Sequence, residues 1–231
     1  DATHAGPLAS GNMTDVDRYE LKIAGLLHDC GKVTTPVHVV DKATKLQTIS
    51  DRIDLIDTRF EVVKRDAEIE MLRLRAAARF ATAGGDGAVL EQAYRERIRE
   101  IDEDRQFLRI CNVGGEAMRP EDQERVGEIS RKYRWRNVRG EEVDFLTQDE
   151  AENLTIRAGT LTAKERQIIN HHIEITIKML EALPWPRHLK NVPEYAGGHH
   201  ERMDGKGYPR GLARDQMSVQ ARVMGIADIF E

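Results

Sequence analysis

The amino-acid sequence predicts an all-α protein in which a long antiparallel helical hairpin is inserted into a helical bundle. Three observations support this prediction. Aromatic residues make up only 5% of the 231 residues and charged residues 32%, a composition that favours solvated helices over sheets. Apolar residues recur at steps of three and four from about Thr48 onward. Glycine-rich breaks at 83–87 and 114–115 divide these patterns into separate segments.

The first predicted helix follows Thr14, a candidate N-cap. Gly31 is expected to end this helix, so that His28 and Asp29 lie in its last turn. We expect the segment 33–40 to be irregular because it combines a proline with several β-branched residues.

The next segment predicts the two helices of the hairpin. One apolar seam of coiled-coil type runs from Ile49 to Ala78, and a second follows from Leu90 to Leu108. The glycine-rich segment 83–87 between them predicts an antiparallel turn. We interpret the hairpin as a dimerisation or signalling element and expect a homodimer through it, because a single apolar seam needs a partner.

Shorter helices are predicted by capping motifs. Thr147–Glu150 and Thr162–Glu165 both fit a capping box. Pro193 is a candidate first residue of the helix before the histidine pair, and Ser218 is a candidate N-cap of the last helix. The helix after Thr162 is expected to carry one apolar stripe, formed by Ile168, His172, Ile175, Met179 and Leu183.

Composition also narrows the class of protein. The formal net charge of −5 argues against a nucleic-acid polymer as the main ligand, because such binding requires a basic surface. The two cysteines, Cys30 and Cys111, form no CxxC motif, which suits a reducing compartment. No apolar segment is long enough to span a bilayer. We therefore expect a cytoplasmic fragment without membrane contact, which can be the output domain of a larger sensor protein.

Histidine and aspartate residues on separate predicted helices have the chemistry of metal ligands. A lone histidine on an apolar stripe is more often a hydrogen-bonded core residue, but four predicted helices can converge in a bundle core to form a dimetal site. Histidine with a bridging carboxylate suits iron or manganese better than structural zinc. Two such ions can activate water and clamp a phosphodiester. The candidate ligands are His28, Asp29, His172, His199, His200 and Asp228.

These segments together resemble the HD-GYP subfamily of HD-domain phosphohydrolases. The resemblance is carried by His28-Asp29-Cys30-Gly31-Lys32, by the helix of His172, by the run from His199 to Pro209, and by the sequence A-D-I-F around Asp228. It implies a helical domain that binds two metal ions, or three in some members, with iron or manganese as the usual metals. It also implies hydrolysis of cyclic di-GMP to pGpG or GMP through a hydroxide that bridges the metals.

Roles are implied by the resemblance residue by residue. The six candidate ligands would bind the metals, with Asp29 as the bridging carboxylate, and Asp29 and Lys32 would be catalytic, with Lys32 at the scissile phosphate. The Gly-Tyr-Pro loop would shape the substrate site and is the expected contact for diguanylate cyclase domains. The substrate-binding residues would be Lys32, Asp204, Gly205, Gly207, Tyr208, Pro209 and Arg210.

The chain departs from the subfamily pattern in three places. Members carry a histidine, and sometimes a glutamate, on a helix about thirty residues before the HD pair; His4 stands at the wrong distance, so we expect that helix to lie outside this fragment. A long segment separates the HD pair from the helix of His172, and the sequence stops shortly after Asp228. We therefore predict a core formed by 1–45 and 159–231, with a helical insertion at 46–158.

Two further functions compete with cyclic di-GMP hydrolysis. One is a catalytically impaired module that binds cyclic di-GMP or docks a partner in a signalling protein. The other is an HD-domain enzyme for a different phosphate ester, against which the Gly-Tyr-Pro loop argues.

Overall fold

The computed structural model describes residues 13–80, 87–115 and 117–230, and the chain divides into two compact units. The first unit contains the residues up to Val40 and those from Arg166 onward, and the second contains Asp41–Glu165. Both are helical, and one two-stranded sheet occurs within the described ranges, so the predicted all-α class is confirmed. The assignment of core and insertion to the predicted boundaries stays a prediction.

The elements follow in chain order. The α-helices are α1 (Asp15–Leu27), α2 (Val37–Val40), α3 (Ile53–Phe80), α4 (Gly87–Asn112), α5 (Pro120–Lys132), α6 (Gln148–Leu154), α7 (Ala163–Asn170), α8 (His172–Glu181), α9 (Val192–Gly197) and α10 (Val219–Phe230). Short 3-10 helices lie at Cys30–Thr34, Arg187–Leu189 and Arg214–Gln216. Two antiparallel strands, β1 (Arg134–Arg136) and β2 (Glu142–Asp144), form the sheet. None of the described helices has the length and apolar character needed to cross a membrane.

Helix α1 begins where the sequence predicts and ends earlier. The side chain of Thr14 accepts a hydrogen bond from the backbone N–H of Asp17 at 3.2 Å, and the Asp17 carboxylate accepts one from the Thr14 N–H at 2.8 Å. The helix ends at Leu27 rather than at Gly31. Beyond it the chain turns into the 3-10 helix, because the N–H of Gly31 donates to Thr176 Oγ1 at 2.9 Å. The segment 33–40, predicted to be irregular, is partly helical, because it contains the end of this 3-10 helix and the short helix α2.

The predicted helix after Thr162 is two helices, because the chain is interrupted at His171 between α7 and α8. The expected apolar stripe is wrong in phase: Ile168, Met179 and Leu183 are 38%, 41% and 50% exposed. The 3-10 helix Cys30–Thr34 packs against a different face of α8 from the one predicted, and this contact determines which residues of α8 are buried. The buried residues of α8 are His172, Ile173, Thr176, Ile177 and Leu180.

The second unit contains the predicted hairpin. Arg105 Nε donates to Asp57 Oδ1 at 2.9 Å, and Arg97 lies 3.9 Å from Glu70, so α3 and α4 run antiparallel. The predicted turn falls mainly on residues 81–86, outside the described residues. The α3 seam starts later than predicted, since Ile49 is 99% exposed and precedes the helix. The core is centred on the rings of Phe60, Tyr133 and Phe145. The homodimer stays a prediction.

Candidate metal centre

Six side chains meet within the first unit. His28 and Asp29 follow α1, His172 begins α8, His199 and His200 follow α9, and Asp228 lies near the end of α10. Close contacts connect all six: His28 Nε2 is 3.3 Å from Asp29 Oδ2 and 3.5 Å from Asp228 Oδ1, and His200 Nδ1 is 4.0 Å from Asp228 Oδ2. The ring centroids of His199 and His200 are 4.1 Å apart, and those of His172 and His200 are 5.2 Å apart.

Three of the histidines are held in the same way by the backbone. The Nδ1 atom of each ring lies at hydrogen-bond distance from the carbonyl oxygen three residues earlier, at 2.7 Å for His28, 2.5 Å for His172 and 2.6 Å for His199. A carbonyl oxygen only accepts, so each Nδ1 carries a proton. With Nδ1 bonded to the backbone in this way, Nε2 is the ring atom that faces the centre. Protein ligands of metal ions are commonly oriented by this kind of second hydrogen bond.

The atoms that face the centre lack partners. Nε2 of His28, His172 and His199 and Oδ1 of Asp29 are buried and have no hydrogen-bond partner within the described part of the chain. The two oxygens of Asp29 face different histidines: Oδ1 lies 3.2 Å from His172 Nε2, and Oδ2 lies 3.3 Å from His28 Nε2. Lone pairs at these distances repel one another unless a cation lies among them. The donor set therefore fits metal ions bridged by a carboxylate.

Two overlapping groups of ligand atoms are present. His172, His199 and His200 form one group, and His28, Asp29 and His199 form the other; within each group the ligand atoms lie within 4.8 Å of one another. His199 belongs to both groups, and Asp29 contacts a histidine of each. Each group has enough donors to hold a metal ion.

The electrostatics favour neutral rings and a charged carboxylate. Burial lowers the pKa of His199. Burial, followed by the charges of His199 and His172, lowers the pKa of His200 to about 4. Burial opposes ionisation of Asp29, but the close approach of His172 and the hydrogen bond from Lys32 outweigh it and hold the pKa of that carboxyl well below its usual range. Two rings are thus neutral, and the carboxylate is ionised, as metal binding requires at neutral pH.

The Gly-Tyr-Pro loop lies against the histidine pair. The Tyr208 ring stacks on the His200 ring with centroids 4.7 Å apart. The backbone N–H of Tyr208 also donates to the backbone carbonyl of His200 at 3.2 Å. A Cβ on Gly207 would lie 2.3 Å from the backbone nitrogen of Arg202, so no other residue fits there. Tyr208 is half-buried, which leaves part of its ring beside the metal-ligand cluster.

Glu201 is a residue that the sequence prediction did not assign to the site. Its side chain is buried beneath the loop, where Oε1 accepts the N–H of Arg210 at 2.7 Å and Oε2 accepts the N–H of Leu212 at 2.8 Å. These bonds fix the far end of the loop relative to the histidine pair. The only sequence signal is a glutamate beside two histidines and before a glycine-rich run, which does not reveal the bonds.

Several other predicted substrate-binding residues form hydrogen bonds or ion pairs with residues of the chain itself. Lys32 Nζ donates to Asp29 Oδ2 at 2.6 Å, at the edge of the cluster. The Asp204 carboxylate accepts from Arg202 and from the N–H of Lys206, so it stabilises the loop itself. Arg210 lies 3.3 Å from Glu181. Gly205 has a φ of +72° and, like Pro209, is part of the loop backbone. Their contacts with substrate stay predictions.

Replacing Glu201 with glutamine is expected to loosen the loop without removing the metal ligands. Glutamine offers one acceptor oxygen where two backbone N–H groups need one each, which costs about 1–3 kcal/mol. The loop contains Arg202, Lys206 and Arg210 as tryptic sites, so tryptic cleavage there should accelerate roughly 5- to 100-fold. Glu174→Gln, at an exposed position of α8, is the control and should leave the rate unchanged. Equal cleavage of Glu201→Gln and wild type would contradict this role for Glu201.

Comparison with known proteins identifies the class of this domain. A family described as "HD domain" matches residues 149–231. This match covers about a third of the chain and confirms the resemblance to HD-domain phosphohydrolases. No solved structure matches the chain.

Several curated proteins are similar over about a third of the chain. A "3'3'-cGAMP-specific phosphodiesterase 3" of Vibrio cholerae is 36% identical over 75 residues, which are 32% of this chain and 16% of that protein. A "cyclic di-GMP phosphodiesterase" of Thermotoga maritima is 34% identical over 80 residues, 35% of this chain and 22% of that protein. A "cyclic di-GMP phosphodiesterase response regulator" of Xanthomonas campestris is 31% identical over 80 residues, 35% of this chain and 21% of that protein. The matched segment thus spans about a fifth of these relatives.

Proposed function

We propose that this chain forms the core of a metal-dependent phosphodiesterase that hydrolyses cyclic di-GMP to pGpG or GMP. The observation that carries the proposal is a set of four buried atoms without hydrogen-bond partners in the described ranges: Nε2 of His28, His172 and His199, and Oδ1 of Asp29. Protein interiors rarely leave four such atoms unsatisfied, so the set calls for bound cations. An HD domain in this part of the chain supports a hydrolase of phosphate esters.

Six residues would hold two divalent ions, with iron or manganese as the expected metals because the donors are imidazoles and carboxylates. Asp29 would bridge them, since its two oxygens contact different histidines. His200 and Asp228 would complete the set. When bound, two such ions lower the pKa of water and neutralise charge on a phosphodiester.

The protein's own residues would position the substrate around that centre. Lys32 lies at the edge of the cluster and is 39% exposed at its side chain, so its ammonium group can turn from Asp29 towards a phosphoryl oxygen. Tyr208 forms a wall on His200 and offers a ring face on which a guanine base can stack. Glu201 holds the loop that presents this ring.

The substrate class is supported by the relatives. Their names divide between cyclic di-GMP and 3'3'-cGAMP, two cyclic dinucleotides with the same pair of phosphodiester bonds. We propose cyclic di-GMP as the preferred substrate and diguanylate cyclase domains as partners of the Gly-Tyr-Pro loop. The aromatic ring of Tyr208 alone does not select one purine over another, so the test includes both nucleotides.

The test is a hydrolysis assay on the purified protein loaded with Mn²⁺ or, without oxygen, Fe²⁺. Cyclic di-GMP, 3'3'-cGAMP and bis(p-nitrophenyl) phosphate are supplied in parallel, and the products are separated by chromatography. We expect release of pGpG or GMP that stops when a chelator is added. Nucleotide binding without turnover in the metal-loaded protein would instead identify a binding module. Turnover of the nitrophenyl ester alone would identify a different phosphate-ester hydrolase.

A further inference from the structure

The second unit contains a pocket that is unrelated to the metal ligands. We call it the basic pocket; its volume is about 380 Å³, and the residues that matter here are Lys45, Phe107, Ile110, Met118, Arg125 and Arg157. This volume suits a small organic molecule. Apolar side chains line one part of it and cations another, although the chain as a whole is acidic.

Lys45 is a buried cation without a countercharge. The residue is 3% exposed, and its Nζ donates to the carbonyl oxygen of Leu154 at 3.0 Å and contacts Met118 Sδ at 3.4 Å. No carboxylate lies within ion-pair distance in the described part of this unit. Burial raises the pKa of the nearby Cys111 thiol to about 11, so at neutral pH it is uncharged and does not supply the missing charge.

A second buried lysine of the same unit is neutralised by a carboxylate, as buried lysines usually are. The Lys42 side chain is 1% exposed, and its Nζ donates to both oxygens of Glu165, at 2.9 and 2.8 Å. Buried charges are normally paired in this way, because an unpaired one is costly. Among the described residues Lys45 has no such carboxylate, and it lines an open pocket. A bound anion would supply the countercharge that the described residues do not.

The arginines that line the pocket also differ in whether they form an ion pair. Arg119 is neutralised by Asp122 at 2.9 Å. Arg125 pairs with Asp104 at 3.1 Å and lies over the Phe107 ring, 4.1 Å from its centroid. No ion pair to the Arg157 guanidinium is found within residues 13–80, 87–115 and 117–230, and Arg157 lines the pocket together with Lys45. Among the described residues, the lining cations without an ion pair are therefore Lys45, which is buried, and Arg157, which is exposed to solvent.

We propose that the basic pocket binds a small organic anion with an apolar body, of the class of aromatic or branched carboxylates. The carboxylate of the ligand pairs with Lys45 and Arg157, and its apolar body packs on Phe107, Ile110 and Met118. A metal ion is excluded by the cationic lining. Such a site is a ligand-binding function of the second unit, independent of hydrolysis at the metal centre.

The proposal is tested by calorimetric titration of the whole chain with phenylacetate, with phenethylamine and acetate as matched probes. Phenethylamine has the same body with the opposite charge, and acetate has the charge without the body. We expect submillimolar binding of phenylacetate alone. Lys45→Met and Arg157→Gln should each weaken it roughly tenfold, because each removes one charge-assisted hydrogen bond.

Lys164→Met, at an exposed position outside the pocket, is the control and should bind phenylacetate as the wild type does. Thermal unfolding of each variant checks that it is folded. If Lys45→Met does not fold, Arg157→Gln still tests the proposal. Equal binding of phenethylamine and phenylacetate would overturn the proposal. So would wild-type affinity in Arg157→Gln, or no heat from phenylacetate at about 10 mM.

Discussion

Replacing Asp29 with alanine is expected to remove bound metal and to lower cyclic di-GMP hydrolysis roughly a thousand-fold. The carboxylate faces histidines of both ligand groups, with Oδ1 3.2 Å from His172 and Oδ2 3.3 Å from His28. Its loss would remove the proposed bridge between the ions and leave only imidazole rings on that side. Metal ions stabilise the phosphoryl-transfer transition state by several kcal/mol, and each 1.36 kcal/mol is a factor of ten in rate.

The measurement combines metal content with the rate of product release for wild type and Asp29→Ala. Asp29→Asn is a second variant that preserves size but offers one acceptor oxygen, so it should also lose metal. The control is Asp215→Ala, an exposed acid of the same unit, which should retain both properties. Full metal content in folded Asp29→Ala would show that this carboxylate is not a ligand. Metal loss with unchanged hydrolysis would contradict the proposed function instead.

Replacing Gly31 with alanine is expected to destabilise the first unit by about 3 kcal/mol and to separate the two halves of the metal centre. A Cβ on Gly31 would lie 2.0 Å from the carbonyl oxygen of His172 and 2.7 Å from Thr176 Oγ1. Both neighbours belong to α8, so relief of the clash requires the backbone to move. That movement carries Asp29 away from His172 and breaks the 3.2 Å contact between Asp29 Oδ1 and His172 Nε2.

Thermal unfolding with and without Mn²⁺ measures this effect. We expect the Tm to fall by roughly 10 °C or more, and the stabilisation by metal to be lost as well. Gly25→Ala is the matched control, because its Cβ would meet only Met224 Sδ at 3.8 Å, an ordinary contact. That helical position should tolerate alanine or gain up to about 1 kcal/mol. A Tm for Gly31→Ala within a degree or two of wild type would show that the close approach to α8 is not required.

The sequence predicted those features that depend on local chemistry. The capping residues Thr14, Thr147 and Thr162 all accept the expected backbone hydrogen bonds. Apolar seams predicted the antiparallel pair α3 and α4, because a helical period can be read without knowing its partner. The six candidate ligands lie close together in the first unit, and the sequence could single them out because adjacent histidines and buried acids require a partner or a ligand.

Features that depend on tertiary contacts were not predictable. The early end of α1 follows from the bond between Gly31 and Thr176, residues 145 positions apart. The break at His171 turned the expected stripe away from the buried face of α8. Glu201 was not assigned because its partners are backbone groups of the loop. Lys45 stands in no motif, and only the fold shows that it is buried and has no ion pair among the described residues.

The most direct test of the metal centre is the metal content of the purified protein. The protein is loaded with Mn²⁺ or Fe²⁺, excess metal is removed by gel filtration, and the bound metal is quantified by mass spectrometry. We expect about two ions per chain, because the ligand atoms form two groups that share His199. In His199→Ala the ion that Nε2 of this ring would hold should be weakened, because the backbone occupies Nδ1. Wild-type protein that is folded but retains no metal under these conditions would contradict the assignment of these residues as a metal centre.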